Sequence, residues 1–215
     1  MKILESTRKA ADQSVRTQII LCLGSLILGI LLGVFQKYLD ISQAELPSIL
    51  GTIDRLFDLH NFFGEFLPWI VAAVCLSVYS ASPIRAGVNV FSFFTGMVSS
   101  YYLYSYYVGG FFPRSYALLW VVFTVLSPLL AFLCWYARGK GWLALLISTG
   151  ILAVLINMTF SYGLWYFHVR SFLHFIMLLA GTLVLHKGTK ETLLQIGLSI
   201  PLAILLNLLI PYGIW

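Results

Sequence analysis

The side chains able to do chemistry are few in this chain, and the densest array of them lies between Asn89 and Tyr107. Asn89, Ser92, Gly96, Ser99 and Ser100, then Tyr104 and Tyr107, recur every three or four residues, which on a helix lays them along one side. In hydrocarbon an unpaired amide or hydroxyl is costly, so that side must face protein or water. Two readings meet the demand. The stripe can supply interhelical hydrogen bonds, or it can wall a cavity that opens outward and takes a small neutral or aromatic molecule. At its end stand five tyrosines in seven residues, Tyr101, Tyr102, Tyr104, Tyr106 and Tyr107. They point all around a helix, so some turn inward, where a ring can stack on a ligand and its hydroxyl can find a partner. The expected ligand-binding residues are Asn89, Ser92, Gly96, Ser99, Tyr104 and Tyr107, with the 38–62 connection as cover.

Other chemistries have less to stand on. No Asp, Glu, Lys or Arg falls near the middle of any long apolar stretch, which argues against a proton relay or an ion-coupled pump. The HExxH, GxSxG and Walker A patterns are absent, so no catalytic residue and no cofactor are assigned. A membrane enzyme using His168, His174 and Arg170 is the form an enzymatic alternative takes. His60, His168 and His174 lack ligand spacing, and Cys22, Cys75 and Cys134 sit in apolar stretches without a CxxC; neither metal site nor disulfide framework is expected. Arg114 and Arg170 are expected to pair with Asp54, Asp58 or Glu65.

The elements that must position these groups follow from composition. Hydrophobic residues make up 60% of the chain and charged residues 10%, where a soluble domain has about 45–50% and roughly 25%. Lipid must be the missing solvent. Seven apolar stretches, near 17–36, 63–81, 86–108, 115–137, 141–162, 171–186 and 192–212, predict membrane spans, each needing about 20 residues; the second and sixth are short. A basic segment, 1–16, precedes them and reads as leading into an uncleaved first span. Lys and Arg number nine on one side of the alternating connections and four on the other. The positive-inside rule therefore puts the N-terminus in the cytoplasm and Trp215 outside. Basic residues confined to short loops report topology, so nucleic acid is not an expected partner; the lipid bilayer is.

Two further segments carry a pattern. Ser25, Gly29 and Gly33 are spaced by four in the first span, a ladder of small residues where another helix can approach closely. In the 38–62 connection, Ser42-Gln43-Ala44-Glu45 has the form of a capping box. After it Ile49, Leu50, Ile53, Leu56, Phe57 and His60 share one helical face, opposite Asp54, Arg55, Asp58 and Asn61. An amphipathic helix is expected there, on the outer leaflet or capping the bundle. The expected fold is thus all-α, a polytopic transmembrane helix bundle of about seven spans with an outer amphipathic helix between spans one and two.

The stretch Ser82-Pro83-Ile84-Arg85-Ala86-Gly87-Val88-Asn89, followed by Gly96-Met97 and Tyr101-Tyr102-Leu103-Tyr104, resembles a multi-pass membrane family of uncharacterised function from Gram-positive bacteria. The resemblance covers mainly spans two to four and implies a bacterial cytoplasmic membrane. In size and helix number the chain also resembles the substrate-binding subunits of energy-coupling-factor vitamin transporters, although span one has no AxxxA motif. Binding or transport of a small molecule is the function expected. The alternative outside enzymes is a structural or assembly role, with the stripe docking another membrane protein.

Overall fold

A computed structural model of the chain describes residues 2–42 and 46–210. It is helical throughout except for one small hairpin. A short α1 (Lys2–Thr7) precedes α2 (Val15–Ile41). The connection after α2 holds α3 (Ser48–Phe57) and α4 (Leu59–Gly64), followed by α5 (Leu67–Tyr79), α6 (Pro83–Tyr107) and α7 (Arg114–Trp135), which ends in a 3₁₀ turn. Then come α8 (Gly141–Thr159), strands β1 (Phe160–Tyr162) and β2 (Phe167–Val169), α9 (Phe172–Val184) and α10 (Thr189–Leu209).

Among the described residues four helices are long and apolar enough to cross a membrane: α2, α7 with its 3₁₀ extension, α8 and α10. At 1.5 Å per residue the 27 residues of α2 extend about 40 Å, beyond the hydrocarbon thickness of about 30 Å. With 25 residues α6 is long enough too, but its serines, tyrosines and Asn89 make it more polar than those four. The short second and sixth stretches form helices of 13 residues each, α5 and α9. The fifth predicted span ends at Thr159, because 160–162 leaves the helix as β1 and pairs with β2. Of the predicted capping box, 43–45 lie outside the described residues, as do Tyr212 and Trp215; Ser42 closes α2, its amide donating to the Tyr38 carbonyl.

Two long helices, α2 and α6, run parallel. Cys22 meets Ser92, Gly29 meets Phe93, Gly33 meets Met97 and Lys37 meets Tyr101, so residue numbers rise together along the contact. The pair α8 and α10 is parallel as well, with Asn157 on Ala203 and Tyr162 on Asn207. Each pair is made parallel by a short helix that returns the chain between its members, α5 for the first and α9 for the second. These two short helices pack on one another, and α7 links the two groups.

The two ends of the bundle are finished differently. At the end where α5 and α7 stop, Arg8 donates from Nη1 to the Trp135 carbonyl at 2.6 Å and from Nη2 to the Val78 carbonyl at 2.8 Å. Its guanidinium lies 4.2 Å from the Trp135 ring centroid. A cation placed on the unpaired carbonyls of two helix C-termini satisfies both and complements both dipoles. Burial, then Arg138, lower the Arg8 pKa from its ordinary value. The N-terminal segment is thereby a docked part of the fold; Lys140 N–H also donates to Thr7 O. At the opposite end α3 turns Asp54 inward and leaves Ile49 and Leu56 exposed, and the hairpin turn presents Leu164 and Trp165 to the outside.

Candidate functional site

The polar stripe of α6 is divided among several neighbours. Asn89 is buried, and its Nδ2 donates to Ser80 Oγ at 3.0 Å, tying α6 to the end of α5. Ser92 Oγ lies 3.1 Å from Cys22 Sγ on α2. Gly96 faces Leu26 and Ile30 on α2 so closely that an added Cβ would overlap the Leu26 carbonyl. Gly29 and Gly33 stand in the same relation to the Phe93 and Met97 carbonyls. Ser25 donates to Leu21 O within its own helix. Ser100 donates across to Ile30 O at 3.1 Å. Ser99 and Tyr107 lie on another side, beside Leu103, Tyr106, Phe112 and Arg114 around an open depression, and Tyr107 is 77% exposed. Tyr104 is half-buried. The six residues expected to bind a ligand therefore do not line one space.

A different set converges. The end of the bundle opposite Arg8 holds a polar vestibule of about 580 Å³. Gln36 and Asp40 of α2, Asp58, His60, Asn61, Gly64 and Glu65 of the α2–α5 connection, Tyr101 of α6 and Tyr116 of α7 line it. The left-handed backbone of Asp58, at φ 54°, breaks α3 from α4 and folds His60 back on α3. His60 Nδ1 then lies 2.9 Å from the buried Asp54 carboxylate and its Nε2 3.4 Å from Asp58. Asn61 Nδ2 donates to Asp58 at 2.9 Å. His174, buried at the start of α9, sets Nε2 at 2.6 Å from Glu65 and Nδ1 at 2.7 Å from Ser171 Oγ. Among the described residues Asp54 and Asp58 thus contact His60, and Glu65 contacts His174, not Arg114 or Arg170 as expected. Imidazoles take this place because the first turns of α4 and α9 carry them to the carboxylates. Lys37 pairs with Asp40. Among the described residues no three of His, Cys, Asp or Glu converge to hold a metal ion.

Next to the vestibule a small space of about 10 Å³ lies between Gln36, Met97, Val98, Tyr101, Tyr102, Tyr116 and Trp120. Tyr102 is 6% exposed, and its hydroxyl has no hydrogen-bond partner. Beyond it an apolar chamber of about 330 Å³ lies among α5, α6, α7 and α8. Of its lining, Phe123 and Leu130 of α7 are 40% and 53% exposed. The hydroxyls that line it, Ser77 and Ser127, donate to Ala73 O and Thr124 O in their own helices, so the wall offers a ligand dispersion and little else. The three spaces share wall residues: Gln36, Tyr101 and Tyr116 border the first two, and Trp120 the last two. Phe66 stacks on Trp120 at 4.8 Å between centroids at the head of the chamber.

No family model, no curated protein and no solved structure matches the chain. The site is read from its geometry alone. Of its residues, the acids of 40–65 and the tyrosine run were visible as clusters in the sequence. Gln36, Tyr116, Trp120 and Phe66 carried no signal, because each looks like an ordinary interfacial or core residue until the helices are packed.

Proposed function

We propose that this membrane protein binds a small molecule in the outward-facing vestibule and admits it, past the tyrosine constriction, toward the apolar chamber. The observation that carries the reading is the shared walls of the three spaces, a polar mouth leading through one narrow point to an apolar interior. Concave sites of this kind, with a few convergent polar groups above an apolar lining, are the ordinary form of a small-molecule site. The chain crosses the bilayer seven times in this reading, with α5, α6 and α9 joining the four apolar helices. Strict alternation of direction along the chain supports it, as does the burial of α6 between α2 and α7, which shields its polar groups from lipid. The basic end, with Arg8, Arg138 and Lys140, is cytoplasmic, and the acidic vestibule faces out. The exposed apolar side chains of α3 rest in the outer leaflet. Engagement of the α6 stripe by α2 and α5 of the same chain favours this reading over docking of a separate membrane protein.

Cysteine labelling in intact cells tests it, in a background where Cys22, Cys75 and Cys134 are replaced. A membrane-impermeant maleimide is expected to label Asn61→Cys from outside and Lys140→Cys only after permeabilisation. Ser127→Cys in the chamber is expected to be protected, and to become reactive when Trp120→Ala widens the constriction. Labelling of Lys140→Cys in sealed cells, or no labelling of Asn61→Cys, would reject the reading.

A further inference from the structure

The size, shape and wall of the apolar chamber identify a class of ligand, an inference that rests on the small-molecule reading above. We propose that the chamber holds one unbranched alkyl chain of about twelve carbons, the tail of a single-chain molecule.

Volume and length give that chain independently. A dry apolar cavity of about 150 Å³ takes one benzene, six carbons, so a chamber of about 330 Å³ takes about twelve. On α5 the lining runs from Phe66 to Ser77, and on α7 from Trp120 to Cys134. At 1.5 Å per residue those stretches are about 16 and 21 Å long. Standard carbon–carbon lengths and angles put the end carbons of an extended twelve-carbon chain about 14 Å apart, and its methyl surfaces bring it to about 18 Å. Spread over 16 Å or more, the volume leaves a width of about 4–5 Å, room for one chain abreast at carbon contacts of about 4 Å. A ring of twelve carbons is too wide, and the second tail of a bilayer lipid has no place.

The wall selects against polar guests. The Ser77 and Ser127 hydroxyls are spent on carbonyls of their own helices, and the Trp69 indole N–H donates to Phe63 O at 2.9 Å. A polar group inside would lose its hydrogen bonds without replacement. Gly150 leaves its part of the wall bare, and a Cβ built there would meet nothing within 4 Å beyond its own helix. Interiors are otherwise close-packed, and side chains bordering a void forfeit dispersion contacts that a fitting chain restores.

Thermal unfolding of the full chain in digitonin, a detergent without an alkyl tail, provides the test. The titrants are 1-dodecanol, cyclododecanol with the same carbons closed in a ring, and dilauroyl phosphatidylcholine with the same chain twice on one lipid. At saturation 1-dodecanol is expected to raise the midpoint by about 5 °C, and the other two, at equal chain number, by less than about 1 °C. Gly150→Leu grows into the bare part of the wall and replaces a helix glycine, so the free protein is expected to unfold at a higher temperature. Its 1-dodecanol shift is expected to vanish. No shift with 1-dodecanol, an equal shift with cyclododecanol, or a shift retained in Gly150→Leu would overturn the assignment, as would a lower midpoint for free Gly150→Leu. An equal shift with the phosphatidylcholine would overturn the single-chain ligand in favour of a bilayer lipid's tail. Each of these can occur while Asn61→Cys still labels from outside, so the ligand class can fail without the vestibule failing.

Discussion

The α2–α5–α6 unit and the α8–α9–α10 unit have the same plan, two long parallel helices with a short one returning between them, yet their long helices are held together by different means. In the first, Gly29, Gly33 and Gly96 let backbone lie on backbone, so contact is close and continuous. In the second, no such ladder exists, and side chains reach across: Asn157 Nδ2 donates to Ala203 O at 3.0 Å, and Asn207 Nδ2 donates to Tyr162 O at 3.4 Å. The first device excludes slack because there are no side chains to rearrange. The second leaves some. Thr149 and Gln195 each lie eight residues before the Asn157–Ala203 contact, and both carry buried polar atoms without partners, the Gln195 amide at both ends. The tightly packed pair forms one wall of the polar vestibule and constriction through Gln36, Asp40 and Tyr101, where fixed spacing matters most.

Substitutions can break or sharpen this contrast. Gly29→Leu should have the largest effect. Its side chain would meet the Phe93 carbonyl, a backbone atom that cannot step aside, and a loss of about 3 kcal/mol or more is expected; thermal unfolding in detergent would read it. Gly24→Ala on the same helix, with open space around it, should change the midpoint little. A Gly29→Leu protein as stable as Gly24→Ala would mean that α2 and α6 are not in contact. Asn157→Leu should cost less, about 1 kcal/mol, the scale of interhelical hydrogen bonds in membranes; a loss as large as that of Gly29→Leu would erase the distinction between the two units. Gln195→Leu should have the smallest effect and the opposite sign, a gain of up to about 1 kcal/mol, because it removes an amide that nothing satisfies. Destabilisation by Gln195→Leu would show that the amide has a partner across the α8–α10 contact.

The stripe on α6 shows how far residue patterns carry and where they stop. Periodicity says that Asn89, Ser92, Gly96 and Ser99 cannot all face lipid, and that much is a matter of solvation. It does not say which neighbour each will meet. Ser92 and Gly96 go to α2, Asn89 goes to α5, and Ser99 lies beside Phe112 and Arg114, because α6 is wrapped on several sides and a stripe is wider than one contact. The acids of the outer connection were equally visible. Their imidazole partners were not, since His174 stands 109 residues from Glu65.

By itself the amino-acid sequence determined the apolar solvent, the helical character and the separation of basic from acidic connections. These are sums over many residues, each with its own transfer free energy, and they need no knowledge of neighbours. Only the tertiary structure decided that the long helices form two parallel pairs, that Arg8 closes two helix ends, and that His174 meets Glu65. Those are properties of pairs far apart in the chain, and a hydrogen bond or a cavity wall exists only once both sides have been brought to within a few ångströms.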